Sequence, residues 1–408
     1  MRNEIRTQEI IKKYDLSRQT LYRWIKQELI TEPKRDWRNW RVWTNENILE
    51  IEEIMKSKNK CINKKDKMVE RGYFDINNRR YLGSKYKLLG FINEIVDNEC
   101  DNVKSVADIF GGTGTVAKNF YDQGKSIIVN DILESNYLSY KTWFSNEKID
   151  IEKISRIIDN YNSIEVICDN YVSENFGGTY FSIENSRKIG YIREEINRIK
   201  NELTEREYAA LITSLLYAMD KVANTCGHYD AYRRKLDSVE PLKLLIPNLS
   251  TTNDKDNKIY NIDANKLVRD IEVDLVYIDT PYNSRQYGDA YHLLENIARW
   301  EKPRVEGIAR KMVDRGSIKS KYCTAKAPEA FEDLINGVNS RYILVSYNNM
   351  AQKGVGRSNA KISNEEIMSI LESKGRVNVF STDYKVFTTG KTNVDEHKEL
   401  LYLCKCFD

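Results

Sequence analysis

The sequence predicts an α/β protein with a largely parallel sheet, a mainly helical insert and a small helical unit ahead of both. Three stretches carry that reading. Val273–Ile278 is a short, mostly apolar run that stops at Asp279, and the turn Thr280-Pro281-Tyr282 follows at once. This is the pattern of a buried strand and the loop at its carboxyl end. Val103, Val106, Ala107 and Ile109 mark a second strand, which enters the tight turn Gly111-Gly112-Thr113-Gly114 and a helix begun by Val116, Ala117 and Phe120. Ser126–Val129 marks a third strand, ending in Asn130-Asp131. Open sheets of this kind bind ligands beyond the carboxyl ends of their strands.

Composition sets the limits. The 408 residues suffice for two or three domains, and 41% hydrophobic with 31% charged residues fits a soluble protein with a real core. No apolar run reaches the roughly 18 residues of a membrane span. The start, MRNEIRTQEI, has no apolar signal core, so a cytoplasmic location without membrane contact is expected. Seven cysteines and three histidines form no zinc spacing, so reduced thiols and no metal are expected. The net charge of +3 is uneven: residues 1–65 hold 16 Lys/Arg against 10 Asp/Glu. A basic unit on a near-neutral body points to nucleic acid, although a solvated basic face gives the same count.

Within that unit, Thr7 is placed to cap a helix carrying Ile10, Ile11 and Tyr14, and Ser17 to cap a second over about 18–27. Leu21, Trp24 and Ile25 recur at helical spacing and face inward. Arg18, Gln19, Thr20, Tyr22 and Arg23 are left outside. This is helix-turn-helix geometry, in which the start of the second helix reads base edges in the major groove. The segment EPKRDWRNWRVWT follows, and Thr44 caps a third helix with Ile48, Ile51 and Ile54. Residues 4–58 resemble the MerR-like winged helices, which makes Arg38 a wing contact to DNA. Trp37, Trp40 and Trp43 serve packing or DNA contact, and the residues alone leave both open. The expected organisation is a DNA-binding unit over 1–60, a polar linker over 61–75 and a catalytic domain over 76–408.

In the catalytic domain, Tyr81-Leu82-Gly83-Ser84-Lys85 precedes a helix over 88–95 and the glycine turn. Glycines there let the backbone approach a ligand at a helix N-terminus. Asp131 ends the next strand, where an acid takes ribose hydroxyls. Residues 135–260 interrupt the sheet pattern with helical runs near 185–200 and 205–223 and include CGHYDAYRRK. Asn261-Ile262-Asp263 then precedes the strand that ends at Asp279. Arg341–Val345 is a further strand, with Ser346 and Asn348 at its carboxyl end, and two late strands lie near 377–380 and 400–404.

YLGSK, DIFGGTG, the 135–260 insert and DTPY, in that order, resemble the alpha-class adenine-N6 DNA methyltransferases. The resemblance covers about residues 76–408, and the NSRQY tail after DTPY looks like the branch accompanying type IIS restriction systems. Thr280 departs from the usual proline. The resemblance implies a Rossmann-like S-adenosylmethionine-dependent methyltransferase sheet, with S-adenosylhomocysteine as product. Tyr81 and Lys85 would hold the donor, the lysine near its carboxylate. Asp108, Phe110, Gly111 and Gly114 would shape the pocket, and Asp131 would take the ribose. Asp263 would lie near the donor's adenine, unless it is a turn residue.

The resemblance also assigns the reacting centre. Asp279 and the Pro281 carbonyl would accept the two N–H groups of the target amine, with Asp279 also bordering the donor. Tyr282 would stack on the flipped base, which offsets about 1–3 kcal/mol of lost stacking. Arg285 is read as a phosphate contact, with Asn283 and Tyr287 ordering the loop. The partner is double-stranded DNA, with room for a cognate restriction endonuclease. Two other readings stand beside this one. A MerR-like regulator could bind the donor without catalysis, but it has no need of a base-stacking tyrosine. A cytosine-N4 methyltransferase uses the same chemistry, usually with serine in place of Asp279.

Overall fold

Alternation along Val273–Ile278 sends Leu275 and Tyr277 to one core and Val276 and Ile278 to another, so this strand is covered on both faces. The computed structural model describes residues 5–14, 16, 18–26, 29–38, 40–60, 62–64, 72–236, 240–249, 253, 255–281, 283–348, 360–383 and 398–407. The chain divides into two compact units, one of Met1–Lys67 with Ile164–Cys168, the other of Met68–Ser163 with Asp169–Asp408.

The larger unit is built on seven strands: β1 (Ser105–Asp108), β2 (Ser126–Asn130), β3 (Lys258–Tyr260), β4 (Val273–Ile278), β5 (Ser340–Asn348), β6 (Gly375–Asp383) and β7 (Lys398–Cys406). Their order across the sheet is β3-β2-β1-β4-β5-β7-β6. Neighbours from β3 to β5 pair in parallel, and β7 runs antiparallel between β5 and β6. The order reverses between β1 and β4, which puts the crevice of a doubly wound sheet above their carboxyl ends. Helices Leu89–Glu99, Thr115–Asp122 and Glu134–Phe144 cover the Leu275 face. Helices Ala327–Gly337 and Asn364–Glu372 cover the Val276 face.

The insert is mainly helical, as its apolar spacing predicts. Ile183–Arg198 and Glu205–Val222 bury Ile189, Ile192, Ile212 and Leu215 with Leu293, Leu294 and Ile297 of His292–Arg299. Thr204 and Glu207 close a reciprocal cap at the start of the longer helix, each at 3.1 Å. Two details differ from the expectation. The last residues of the 135–260 stretch are the edge strand β3, a three-residue run too short to stand out as a pattern. The 61–75 stretch is not all linker: Ile62–Lys64 pairs antiparallel with Ile164–Val166, and Tyr73–Phe74 pairs parallel with Ile246–Pro247.

In the smaller unit, helices Thr7–Tyr14, Arg18–Lys26 and Asn45–Lys60 enclose Ile10, Leu21, Trp24, Ile30, Trp43 and Ile51. Ile5–Arg6, Arg41–Trp43 and Lys34–Arg35 form a three-stranded antiparallel sheet. The tryptophans divide by burial. Trp43 is buried and donates to the Thr7 hydroxyl at 3.0 Å, whereas Trp37 and Trp40 are 85% and 56% exposed. That bond gives the Thr7 hydroxyl work other than capping. Thr44 does cap its helix, accepting from the Asn47 amide at 3.4 Å. Ser17 and the side chains of Gln19, Thr20 and Arg23 lie outside the described residues.

The expectation of reduced thiols fails at Cys168, which is disulfide-bonded. Sequence spacing cannot reveal a pairing that only the fold brings together. Among the described residues no helix is long and apolar enough to cross a membrane.

Candidate active site

β1, β2 and β4 end at one crevice, and each delivers an acid to it. Asp108, Asp131 and Asp279 line a single cavity of about 170 Å³. Tyr81, Lys85, Phe110, Gly111, Asp263 and Pro281 line the same cavity, so nearly every predicted donor contact converges on it. Gly114 stands behind it, at the N-terminus of Thr115–Asp122, with φ 79°. Tyr282 lies outside the described residues.

The glycine turn is shaped by a close approach. A Cβ on Gly111 would stand 2.7 Å from the Tyr140 hydroxyl, which donates to the Gly112 carbonyl at 2.7 Å. Asp131 accepts from the amides of Gly112 (3.0 Å) and Leu133 (2.8 Å) and from Asn136 Nδ2 (3.0 Å). A carboxylate has about four acceptor positions, so one more hydroxyl can be taken. Burial still pushes Asp131 up to about 6. Asp108 is 2% exposed: its Oδ2 accepts from the Ala117 amide at 3.2 Å, and its Oδ1 has no hydrogen-bond partner. Burial, with Asp279 nearby, pushes its carboxyl up to about 8. Burial disfavours the charged form of these acids, and a cationic ligand beside them would favour it.

Tyr81 is held from three sides. It stacks on Tyr291 and leans on Tyr287, and its hydroxyl accepts from Asn136 Nδ2 at 3.2 Å. Tyr291 and Tyr287 also fix the strip behind it: the first accepts from the Leu82 amide at 2.8 Å, the second donates to the Leu82 carbonyl at 3.2 Å. Beneath lies a buried pair, Arg79 Nε to Asp220 Oδ2 at 3.2 Å, with Tyr229 donating to Asp220 at 2.7 Å. Asp263 is both pocket wall and helix cap. Its Oδ1 accepts from the amides of Asn265 and Lys266 at 3.0 and 3.3 Å.

Lys85 is where sequence reading fell short. Its ammonium bridges Asp279 Oδ1 at 3.0 Å and Glu399 Oε1 at 3.1 Å, with the lysine side chain 9% exposed. It therefore sits on the Asp279 carboxylate as well as on the pocket wall. Burial raises Asp279 to about 6; Lys85 opposes that rise and Glu399 adds to it. Glu399 drew no attention in the sequence, since one acid in KELLYLCKC reads as an edge-strand charge. The Gly316–Tyr322 segment was also missed. Its residues 318–322 line the cavity, and Tyr322 meets Phe110 edge-on at 5.1 Å.

The remaining predicted contacts scatter. Arg285 is 3.8 Å from Asp230 of the insert. Ser346 is buried and donates to Glu399, and the Asn348 side chain lies outside the described residues. Thr280 is buried, and its hydroxyl has no partner; nothing in the structure explains it. In the smaller unit, the Arg38 guanidinium covers the exposed Trp37 ring at 4.2 Å, and Arg41 covers Tyr22 at 4.6 Å. Arg18 is exposed.

Sheet order and site together define the S-adenosylmethionine-dependent methyltransferase fold. Residues 81–348 match the D12 class N6 adenine-specific DNA methyltransferases, and the chain belongs to that family. It is 38% identical over 344 residues to modification methylase StsI of Streptococcus sanguinis, across 79% of this chain and 51% of that protein. It is 33% identical over 353 residues to the type II methyltransferase M.FokI of Planomicrobium okeanokoites, across 80% of this chain and 52% of that one. It is 32% identical over 331 residues to M.NlaIII of Neisseria lactamica, across 78% of this chain and 95% of that one. The chain thus spans about half the length of the first two relatives. The Met1–Lys67 part of the smaller unit precedes the family match, and its Ile164–Cys168 segment lies within it.

Proposed function

We propose that the chain is a site-specific DNA methyltransferase that modifies the N6 amine of an adenine flipped out of duplex DNA, within a restriction-modification system. The observation that carries this reading is the placement of Asp279 and Pro281 at the end of β4, on the rim of the acid-lined pocket. The residues present fit the donor that the family implies. Asp108 Oδ1 is an orphaned buried polar atom, and Asp131 keeps acceptor capacity. Tyr81, Asp108, Asp131 and Asp263 would hold S-adenosylmethionine, which supplies an electrophilic methyl group on a sulfonium.

The chain's own part is to prepare the amine. The bridge to Lys85 goes through Asp279 Oδ1, which leaves Oδ2 to accept one N–H of the target. The Pro281 carbonyl accepts the other. Two acceptors favour a more tetrahedral nitrogen whose lone pair is available, and no covalent enzyme intermediate is required. The smaller unit supports a role in DNA contact through its exposed Trp37, Trp40, Tyr22 and Arg38. A cognate restriction endonuclease is the partner this reading expects.

The test is transfer of labelled methyl from S-adenosylmethionine into duplex DNA, followed by nucleoside mass spectrometry. N6-methyladenine is the expected product. N4-methylcytosine would move the assignment to that amine. Donor binding without transfer to any duplex would leave a donor-binding regulator.

A further inference from the structure

β7 carries Glu399, Leu401 and Leu403 on one row, and both leucines lie in the core beneath the Leu89–Glu99 helix. Glu399 is 6% exposed on that row, where the neighbouring positions are apolar. A buried carboxylate is costly unless it is paired and hydrogen-bonded. Here it is both: Lys85 Nζ lies 3.1 Å from Oε1, and Ser346 Oγ donates to the same oxygen at 2.8 Å. Ser346 itself is wholly buried at the end of β5. The antiparallel register sets Glu399 opposite Asn348 of β5 and Thr382 of β6, above the carboxyl ends of the parallel strands. The same ammonium touches Asp279 Oδ1 at 3.0 Å.

We propose that Glu399 is a positioning residue for methyl transfer: with Ser346 it fixes the Lys85 ammonium on Oδ1 of Asp279, so that Oδ2 faces the target amine. A lysine has a long, flexible stem and three donors. Without Glu399, its ammonium is less restrained from sliding between the two carboxylate oxygens of Asp279 and competing with the substrate. Glu399, anchored by Ser346 on a rigid sheet, removes that freedom. It also keeps one carboxylate in excess over the lysine, close to where a cationic donor binds. Among the described residues, the charged and titratable groups around Asp279 are Lys85, Glu399, Asp108 and Tyr277. Of these, Glu399 is the acid that acts through Lys85.

The inference rests on the methyltransferase reading, and the experiment separates the two. Single-turnover methyl transfer is measured across pH for the full chain, for Glu399→Gln and for Ser346→Ala, together with donor and DNA dissociation constants and thermal melting. Glutamine keeps the shape and an acceptor but not the charge. Glu399→Gln is expected to lower the transfer rate on the order of ten- to a hundredfold, with dissociation constants changed about twofold or less. Its acid limb moves to lower pH, because Glu399 helps hold the Asp279 carboxyl up. Ser346→Ala is expected to show a smaller loss with the limb in place, and Glu399→Asp to keep the wild-type limb. An unchanged rate and profile in Glu399→Gln overturns the inference. So does a loss that follows melting temperature while the pH limb stays put, since that marks a structural acid. A wild-type chain that binds donor and DNA but transfers no methyl overturns the methyltransferase reading itself.

Discussion

Tyr81 lies flat on Tyr291, with ring centroids 4.4 Å apart and planes 6° from parallel. The two rings come from opposite sides of the insert, one from the strip before β1, the other from the segment after the Asp279 turn. Their contact ties one wall of the pocket to the segment that follows the Asp279 turn. Tyr291→Leu removes the stack and the acceptor for the Leu82 amide. An aromatic pair is worth about 0.5–1.5 kcal/mol beyond its area, so donor affinity should weaken up to about tenfold. Tyr291→Phe keeps the stack and should fall between. Calorimetric titration of both variants with S-adenosylmethionine checks this; equal affinity in Tyr291→Leu and wild type would remove the stack from donor binding.

On the proposed function, Asp279 should set an acid limit on methyl transfer. Its carboxyl is pushed up to about 6, so it is an acceptor above that pH and holds a proton below it. Methyl transfer should therefore decline as pH falls through about 6. Asp279→Ala should lower the transfer rate on the order of a hundred- to a thousandfold while leaving most DNA affinity. Filter binding and single-turnover transfer on the same preparation distinguish the two effects. A variant that still turns over at the wild-type rate would remove this carboxylate from the chemistry.

The sequence disclosed the parts of this site that are local in the chain. A strand that stops at Asp279, a turn of three glycines and an acid after Val129 are each short patterns with a physical cause, and the fold brings them to one crevice. What it hid depends on tertiary return. Glu399 reaches Lys85 from 314 positions away because β7 runs back between β5 and β6. Tyr291 looks like one more helix-start aromatic until the fold stacks it on Tyr81. Residues 318–322 form a wall with no motif, and Thr280 is unexplained both in sequence and in structure.

Asp108 makes a prediction about stability. Its carboxyl titrates near 8 in the folded chain and near 3.8 when unfolded. The folded state then binds the extra proton between those values, so this contribution is present at low pH and is lost as pH rises through about 8. Asp108→Asn keeps the acceptor for the Ala117 amide and removes the titration. Melting of the donor-free protein from pH 6 to 9 should fall less steeply for the variant than for the wild type. Parallel curves would mean that Asp108 is not the group responsible.

The exposed Trp37–Arg38 surface of the smaller unit should carry salt-sensitive DNA affinity. Arg38 covers Trp37 at 4.2 Å while the tryptophan stays 85% exposed, an arrangement that presents a flat cation and a flat ring to a partner. If Arg38 meets a phosphate, Arg38→Ala should weaken binding on all duplexes alike and reduce the slope of log affinity against log salt by about one. Trp37→Ala should weaken binding with little change in slope, because it removes no charge. Fluorescence anisotropy on one methylation substrate and one unrelated duplex, over a range of salt, reads both. If neither variant changes affinity on either duplex, the Trp37–Arg38 surface is not a DNA contact and must be assigned to something else.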